Sequence, residues 1–264
     1  MVLKDHVGTR KIPAIVGIGI ISGLLAGLFG VGGGLIIVPA LRSLLGMEQR
    51  RAAATSLCAI ILTASVAACV YAAHGQLSLL ATLCVAGGAL AGSQVGAFLL
   101  RTLPERILPW IFVAFIMLII IVSHVHIPTR EADIVFTVWN IIAMILVGFI
   151  SGIFAGLVGV GGGGIIVPGL EFVVGAGDLI ARGTSLLVMV PTSVAGTFTH
   201  ARHGLVDVPT GLIIGMSAAL FTPCGAWIAG YVSPKVNSIL LSIFLASIII
   251  STVYKTWAQS RRAK

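Results

Sequence analysis

The sequence predicts an all-α, polytopic membrane protein built from two related halves. Hydrophobic residues make up 58% of the chain and charged residues only 9%, whereas a soluble domain carries about 25% charged residues. Several long runs without Asp, Glu, Lys or Arg are long enough for one or two spanning helices of about 20 residues each. Alternating β patterns are few, so helices are expected to satisfy the backbone polar groups in lipid.

The second half of the chain repeats the first. When residues 22–75 are placed on residues 151–204 without a gap, 24 of 54 positions are identical. The most similar part is GVGGGLIIVP at residues 30–39, which returns as GVGGGGIIVP at residues 159–168. A glycine-broken apolar segment at matching places in two halves is typical of a transporter's binding site. This duplication is the main internal feature of the sequence.

Each half is predicted to contain one broken hairpin and three spanning helices. Segments 35–45 and 165–174 are too short to cross, because ten residues of helix reach only about 15 Å. Each is therefore paired with its predecessor, 12–29 or 134–158, as a re-entrant hairpin with the glycines at its tip. The spans that follow are 52–73, 77–100 and 107–123 in the first half, and 183–201, 208–230 and 236–254 in the second.

These elements define one transmembrane transporter domain, residues 1–264. Repeat one covers 12–123, an external connector covers 124–133, and repeat two covers 134–257. Each hairpin crosses the membrane either twice or not at all. With the three spans that follow it, each repeat therefore crosses the membrane an odd number of times. We therefore expect the two repeats to be inverted relative to each other.

The distribution of basic residues predicts the orientation. The formal net charge is +8, yet with both termini in the cytoplasm 13 of the 16 Lys and Arg residues fall on the cytoplasmic side. This agrees with the positive-inside rule, so the basicity reflects topology and nucleic acid is not an expected partner. The predicted location is the bacterial inner membrane, with the segments 123–133 and 171–182 outside. No Asp or Glu is expected deep in a span, and no Lys or Arg is expected within the membrane.

The glycine loops are the first candidate site. A helix begins with four unpaired N–H groups and a partial positive charge of about +0.5, and glycine lets an ion approach that backbone closely. Loops that open half-helices inside the membrane would bind an anion without a cationic side chain. The alternative is that the glycines only permit a tight turn. The glycines concerned are Gly32, Gly33 and Gly34, and Gly161, Gly162 and Gly163.

Two further duplicated sets of residues are candidates. The hydroxyl pairs Thr55-Ser56 and Thr184-Ser185 open the third segment of each half, where they either cap the helix or contact the substrate. His74 and His203 end the same segment, each followed by glycine. A histidine there carries a coupled proton or simply terminates the helix.

The remaining chemistry-bearing residues do not indicate an enzyme. The four cysteines, Cys58, Cys69, Cys84 and Cys224, have no cysteine at the repeated position, and no metal-ligand spacing is present. We expect them to be small buried hydrophobic residues. No catalytic residue, metal or cofactor is predicted.

The two glycine runs, with the Thr-Ser and His-Gly pairs that follow them, resemble the TauE/SafE family of sulfite-exporter-like anion transporters. The resemblance covers nearly the whole chain. It implies movement of sulfite, sulfonate, sulfoacetate or a similar small anion across the lipid bilayer by alternating access. An anion channel, or a transporter of a carboxylate or thiosulfate, is the alternative. A coupling proton or cation and a homodimer are left open.

Overall fold

The structure is a computed structural model that describes residues 12–125, 134 and 136–262, with side chains described for 12–122, 134 and 136–254. Within these residues the regular structure is entirely helical, as predicted. The ten helices are α1 (Ile12–Phe29), α2 (Gly34–Leu45), α3 (Gln49–Ala73), α4 (Leu79–Thr102), α5 (Leu108–Val125), α6 (Val138–Val158), α7 (Gly163–Val174), α8 (Asp178–Ala201), α9 (Val208–Tyr231) and α10 (Pro234–Arg262). Residues 126–133 of the predicted connector lie outside the described residues.

Seven of the ten helices are long and apolar enough to cross a membrane: α1, α3, α4, α6, α8, α9 and α10. The two helices that follow the glycine runs, α2 and α7, have 12 residues each. At 1.5 Å per residue each reaches only about 18 Å. The multi-pass membrane protein and the short helices at both predicted places are therefore confirmed. The predicted inversion of the repeats is not tested by helix length.

Close helix pairs form between the halves. A Cβ added to Gly23 of α1 would lie 2.1 Å from the carbonyl oxygen of Ala218 in α9, and one added to Gly92 of α4 would lie 2.1 Å from that of Phe149 in α6. Small residues let helices approach this closely in lipid, where no hydrophobic force drives them together. Each of these pairs joins a helix of one half to a helix of the other.

Helices α3 and α8 pack against each other in opposite directions. The start of α8 lies beside the turn after α3, because a Cβ on Gly183 would be 2.0 Å from the carbonyl oxygen of Gln76. At the other end, the backbone N–H of Asp207, just after α8, bonds to Thr55 near the start of α3. This antiparallel pair places the start of each helix beside the end of the other.

Candidate functional site

The two glycine turns meet each other. We call residues 30–34 glycine loop one and residues 159–163 glycine loop two. A Cβ added to Gly34 would lie 2.6 Å from the Cα of Val160, and one added to Gly163 would lie 2.9 Å from the Cα of Val31. The loops are therefore in backbone contact, and this contact leaves no room for a side chain at either position.

Both loops open a short helix whose N-terminus is uncapped by any side chain. Gly33 precedes α2 with φ 81°, and Gly162 precedes α7 with φ 85°. Positive φ favours glycine, so the sequence forms these tight helix starts locally. The first-turn N–H groups of α2 and α7 therefore carry no side-chain partner, and they are the groups that bind anions at helix starts.

Two large side chains fill the space in front of the loops. A Cβ on Gly32 would lie 2.2 Å from the Cε atom of Met189, and one on Gly161 would lie 2.3 Å from the same atom. Ile60 contacts both positions at 3.3–3.4 Å. Met189 lies 129 residues after Ile60, so they occupy equivalent positions in the two repeats. Both are fully buried, and together they close the centre.

The predicted hydroxyls divide into two groups. Thr55 Oγ1 accepts a hydrogen bond of 3.0 Å from the backbone N–H of Asp207, and Thr184 Oγ1 accepts one of 3.2 Å from that of Ser78. The expectation that these threonines open their helices is wrong, because α3 begins at Gln49 and α8 at Asp178. They pair instead with the residues that precede α9 and α4.

The two serines lie beside the threonines, and one reaches a glycine loop. Ser185 donates to the carbonyl oxygen of Gly30 at 3.4 Å. The hydroxyl of Ser56 is buried and has no hydrogen-bond partner among the described residues. Ser56 is equivalent to Ser185 in the repeat, so its hydroxyl is a free polar group at the corresponding position beside loop two.

The predicted histidines lie at exposed helix ends. His74 Nδ1 pairs with the carbonyl oxygen of Val70 at 2.8 Å, and His203 Nδ1 pairs with that of Thr199 at 2.7 Å. These contacts close the last turns of α3 and α8, and they do not bring either ring to the glycine loops. Proton coupling by these residues stays a prediction.

A buried histidine was missed by sequence analysis. His200 is fully buried, and its Nε2 lies 3.2 Å from the carbonyl oxygen of Gly156. The equivalent residue in repeat one is Tyr71, whose hydroxyl donates to Gly27 at 2.8 Å. The repeat register, which aligns His200 with a polar aromatic residue, was the signal that could have identified it.

Two charged residues are buried at the start of α8, ahead of the span predicted from residue 183. Arg182 and Asp178 lie in α8, a candidate span, with relative exposures of 2% and 0%. They form an ion pair of 3.0 Å one helical turn apart, and Arg182 also donates to the carbonyl oxygen of Leu28 at 2.9 Å. The ion pair neutralises both charges, and this allows both side chains to be buried. Glu171 of α7 is nearly as buried, at 9%.

Comparison with known proteins identifies the family. The family model for the sulfite exporter TauE/SafE matches residues 3–123 and 144–264. The chain belongs to the TauE/SafE family. The resemblance inferred from the glycine runs is therefore confirmed. The protein is a multi-pass membrane protein of a transporter family.

Curated relatives of this TauE/SafE member are named as membrane transporters. The probable membrane transporter protein YdhB of Bacillus subtilis is 26% identical over 233 residues, which covers 87% of this chain and 92% of the relative. The probable membrane transporter protein MJ0441 of Methanocaldococcus jannaschii is 26% identical over 255 residues, covering 89% and 92%. The sulfite exporter TauE/SafE family protein 3 of Arabidopsis thaliana is 36% identical, but only over 73 residues, or 27% and 15%. No solved structure matches the chain significantly.

Proposed function

We propose that this protein is a secondary transporter that moves a small sulfur-containing or organic anion, such as sulfite, a sulfonate or sulfoacetate, across the bacterial inner membrane. The observation that carries the proposal is the meeting of two uncapped helix N-termini, those of α2 and α7, at glycine loops in backbone contact. Each N-terminus presents N–H donors and a partial positive charge to the same central region.

The binding site that we propose lies between the loops and the neighbouring hydroxyls. Backbone N–H groups at Gly32, Gly33 and Gly34, and at Gly161, Gly162 and Gly163, supply the donors. Ser56 and Ser185 add hydroxyl donors, and Thr55 and Thr184 retain a hydroxyl hydrogen because they use their oxygen as acceptor. A helix N-terminus stabilises an anion by about 0.3–2 kcal/mol, so such a site binds with modest affinity and releases its substrate.

Alternating access supplies the movement in this proposal. Ile60 and Met189 close the centre in front of both loops, so an anion enters only after one of them moves. Methionine is flexible and unbranched, which suits a side chain that moves during each cycle. The antiparallel pair of α3 and α8 supports an inverted arrangement of the repeats, in which the two sides open in turn.

The proposal is tested by flux measurements on the purified protein in liposomes. We expect radiolabelled sulfite, an anionic sulfonate or sulfoacetate to enter at a rate that saturates with concentration, and to exchange with unlabelled anion on the opposite side. An inside-negative potential favours exit of a monovalent anion by about 2.3 kcal/mol per 100 mV. Continuous unitary currents in a planar bilayer would indicate a channel. Saturable flux of thiosulfate or a carboxylate alone would change the substrate class.

A further inference from the structure

A polar cavity lies between glycine loop one and the ends of α7 and α10. We call it the Glu171 cavity, and its volume is about 30 Å³. Val31 of loop one and Gly163 of loop two contribute to its wall. The polar side chains that line it are Glu171, Arg182, Asn237 and Ser238.

One side-chain oxygen in this cavity lacks a hydrogen-bond partner among the described residues. The Oδ1 atom of Asn237 is buried and accepts no hydrogen bond within the described residues, and the residue is only 5% exposed. Glu171 is 9% exposed and interacts electrostatically with Arg182 and Asp178 of α8. A buried polar atom without a partner carries a free-energy cost, which a bound water molecule or ion would remove.

The charges around the cavity leave one negative charge uncompensated. Arg182 is paired with Asp178 at 3.0 Å, so this pair is neutral. The described lining from α1, α5, α7 and α10 adds no other charged side chain beyond Glu171. The helices around the cavity carry further titratable residues, among them His200 of α8, Lys235 of α10 and His124 of α5. Neither His200 nor the exposed Lys235 lines the cavity. The negative charge of Glu171 and the oxygen atoms that line the cavity favour binding of a cation there.

The volume restricts the size of the bound species. A cavity needs about 10–15 Å³ to hold one water molecule, so about 30 Å³ accommodates one or two water-sized species. Carboxylate, amide and hydroxyl oxygens are the ligands that hard cations prefer.

We propose that the Glu171 cavity binds a small monovalent cation, a proton or a sodium ion, with Glu171 as its charged ligand and Asn237 and Ser238 as neutral ones. The repeat-one residues at the positions of Glu171, Asp178 and Arg182 are Arg42, Gln49 and Ala53. The site therefore exists only in repeat two, and a cation enters from one side of the molecule.

Arg182 connects this cation to the glycine loops. Its guanidinium donates to the carbonyl oxygen of Leu28 at 2.9 Å, and the Cβ and Cγ atoms of Arg182 pack on Gly30. Neutralising Glu171 changes the electrostatic pull on Arg182, and with it the contact that holds loop one. On the proposed transport function, the cation thereby drives accumulation of the anion. This coupling step rests on that function, whereas cation binding does not.

Infrared difference spectroscopy of the reconstituted protein tests the cation site directly. We expect a carbonyl-stretch band of a protonated carboxyl group that changes with pH and is lost in Glu171→Gln. If sodium competes, the band disappears at lower pH in sodium than in choline buffer. Glu48→Gln is the matched control, since Glu48 is exposed and its side chain caps nothing. Asn237→Ala keeps Glu171 and should shift the pH at which the band changes. Identical wild-type and Glu171→Gln spectra in both buffers would overturn the site.

Flux measurements test the coupling separately. In Glu171→Gln, we expect sulfite accumulation driven by a proton or sodium gradient to fall at least tenfold, while sulfite exchange at equal concentrations is retained. Glu48→Gln should retain both gradient-driven accumulation and exchange of sulfite. Equal loss of accumulation and exchange would overturn the coupling role. An infrared band without any sulfite flux in the unmodified protein would count against the proposed substrate, while the cation site would stand.

Discussion

Ser56 carries a fully buried hydroxyl that has no hydrogen-bond partner among the described residues. If it donates to the transported anion, Ser56→Ala should weaken anion binding about tenfold or more, because a hydrogen bond to a charged group contributes about 1.5–3 kcal/mol. The melting temperature should not fall. Isothermal titration with sulfite and thermal unfolding in detergent measure the two effects.

The matched control for Ser56 is on the same helix. Ser65 also lies in α3, but its hydroxyl donates to the carbonyl oxygen of Ile61 at 2.7 Å. Ser65→Ala should leave anion affinity unchanged. Equal affinities in Ser56→Ala and the unmodified protein would remove Ser56 from the binding site.

Thr55 and Thr184 accept hydrogen bonds that join the repeats, so their removal should lower stability. Thr55→Val leaves the backbone N–H of Asp207 unpaired, which costs about 1–3 kcal/mol. The melting temperature of Thr55→Val, and of Thr184→Val, should therefore fall. Thr55→Ser retains the acceptor oxygen and should melt near the unmodified protein. If all three variants melt alike, the hydrogen bonds contribute nothing to stability.

The helices that carry the site are held in place by backbone contacts at glycine. On α4, a Cβ added to Gly88 would lie 2.0 Å from the carbonyl oxygen of Ile145, whereas one added to the adjacent Gly87 would meet nothing within 4 Å. Gly88→Ala should destabilise the protein by about 1–3 kcal/mol, since overpacking displaces α6. Gly87→Ala should be neutral or stabilising by up to about 1 kcal/mol.

Thermal unfolding of both glycine variants distinguishes close packing from helix propensity. The two substitutions add the same methyl group one residue apart on the same helix. If Gly88→Ala melts no lower than Gly87→Ala, then α4 and α6 do not pack as closely as described.

At the tips of the two glycine loops, an alanine substitution does not isolate an anion-binding role from a structural one. Alanine at Gly33 or Gly162 would test the donors only if the turn itself were preserved. Both residues have positive φ, and an added Cβ would lie 3.1 Å from the carbonyl oxygen of Ser22 or Ser151. Alanine there strains the turn itself, so the serine substitution is the sharper test.

Apolar runs and duplicated glycines were enough to predict the helices and both short segments, because spanning length and glycine turns are local properties. The pairing of Thr55 with Asp207 joins residues 152 positions apart, so no local pattern contains it. The start of α8 was also missed. A charge normally ends a predicted span, but Asp178 and Arg182 neutralise each other one turn apart and remain inside the helix.

Across the whole molecule, the two repeats differ most where the Glu171 cavity lies. On the side of repeat one, Leu35, Val38, Leu108 and Phe112 are all at most 3% exposed and belong to one apolar cluster. Leu108 occupies the position of Asn237 in the repeat register. One side is therefore closed by tight apolar packing, whereas the other keeps a polar cavity that reaches both glycine loops.

The proposed inverted arrangement of the repeats predicts that His74 and His203 lie on opposite sides of the membrane. They are equivalent in the repeat, both are exposed, and they follow helices that run antiparallel. In a variant with Cys58, Cys69, Cys84 and Cys224 replaced, His74→Cys should react with an impermeant maleimide added outside intact cells. His203→Cys should react only after the membrane is opened, because the positive-inside rule places Arg101 and Arg202 in the cytoplasm. Labelling of both cysteines from the same side would contradict the inversion, and with it the exchange of two equivalent openings on which alternating access depends.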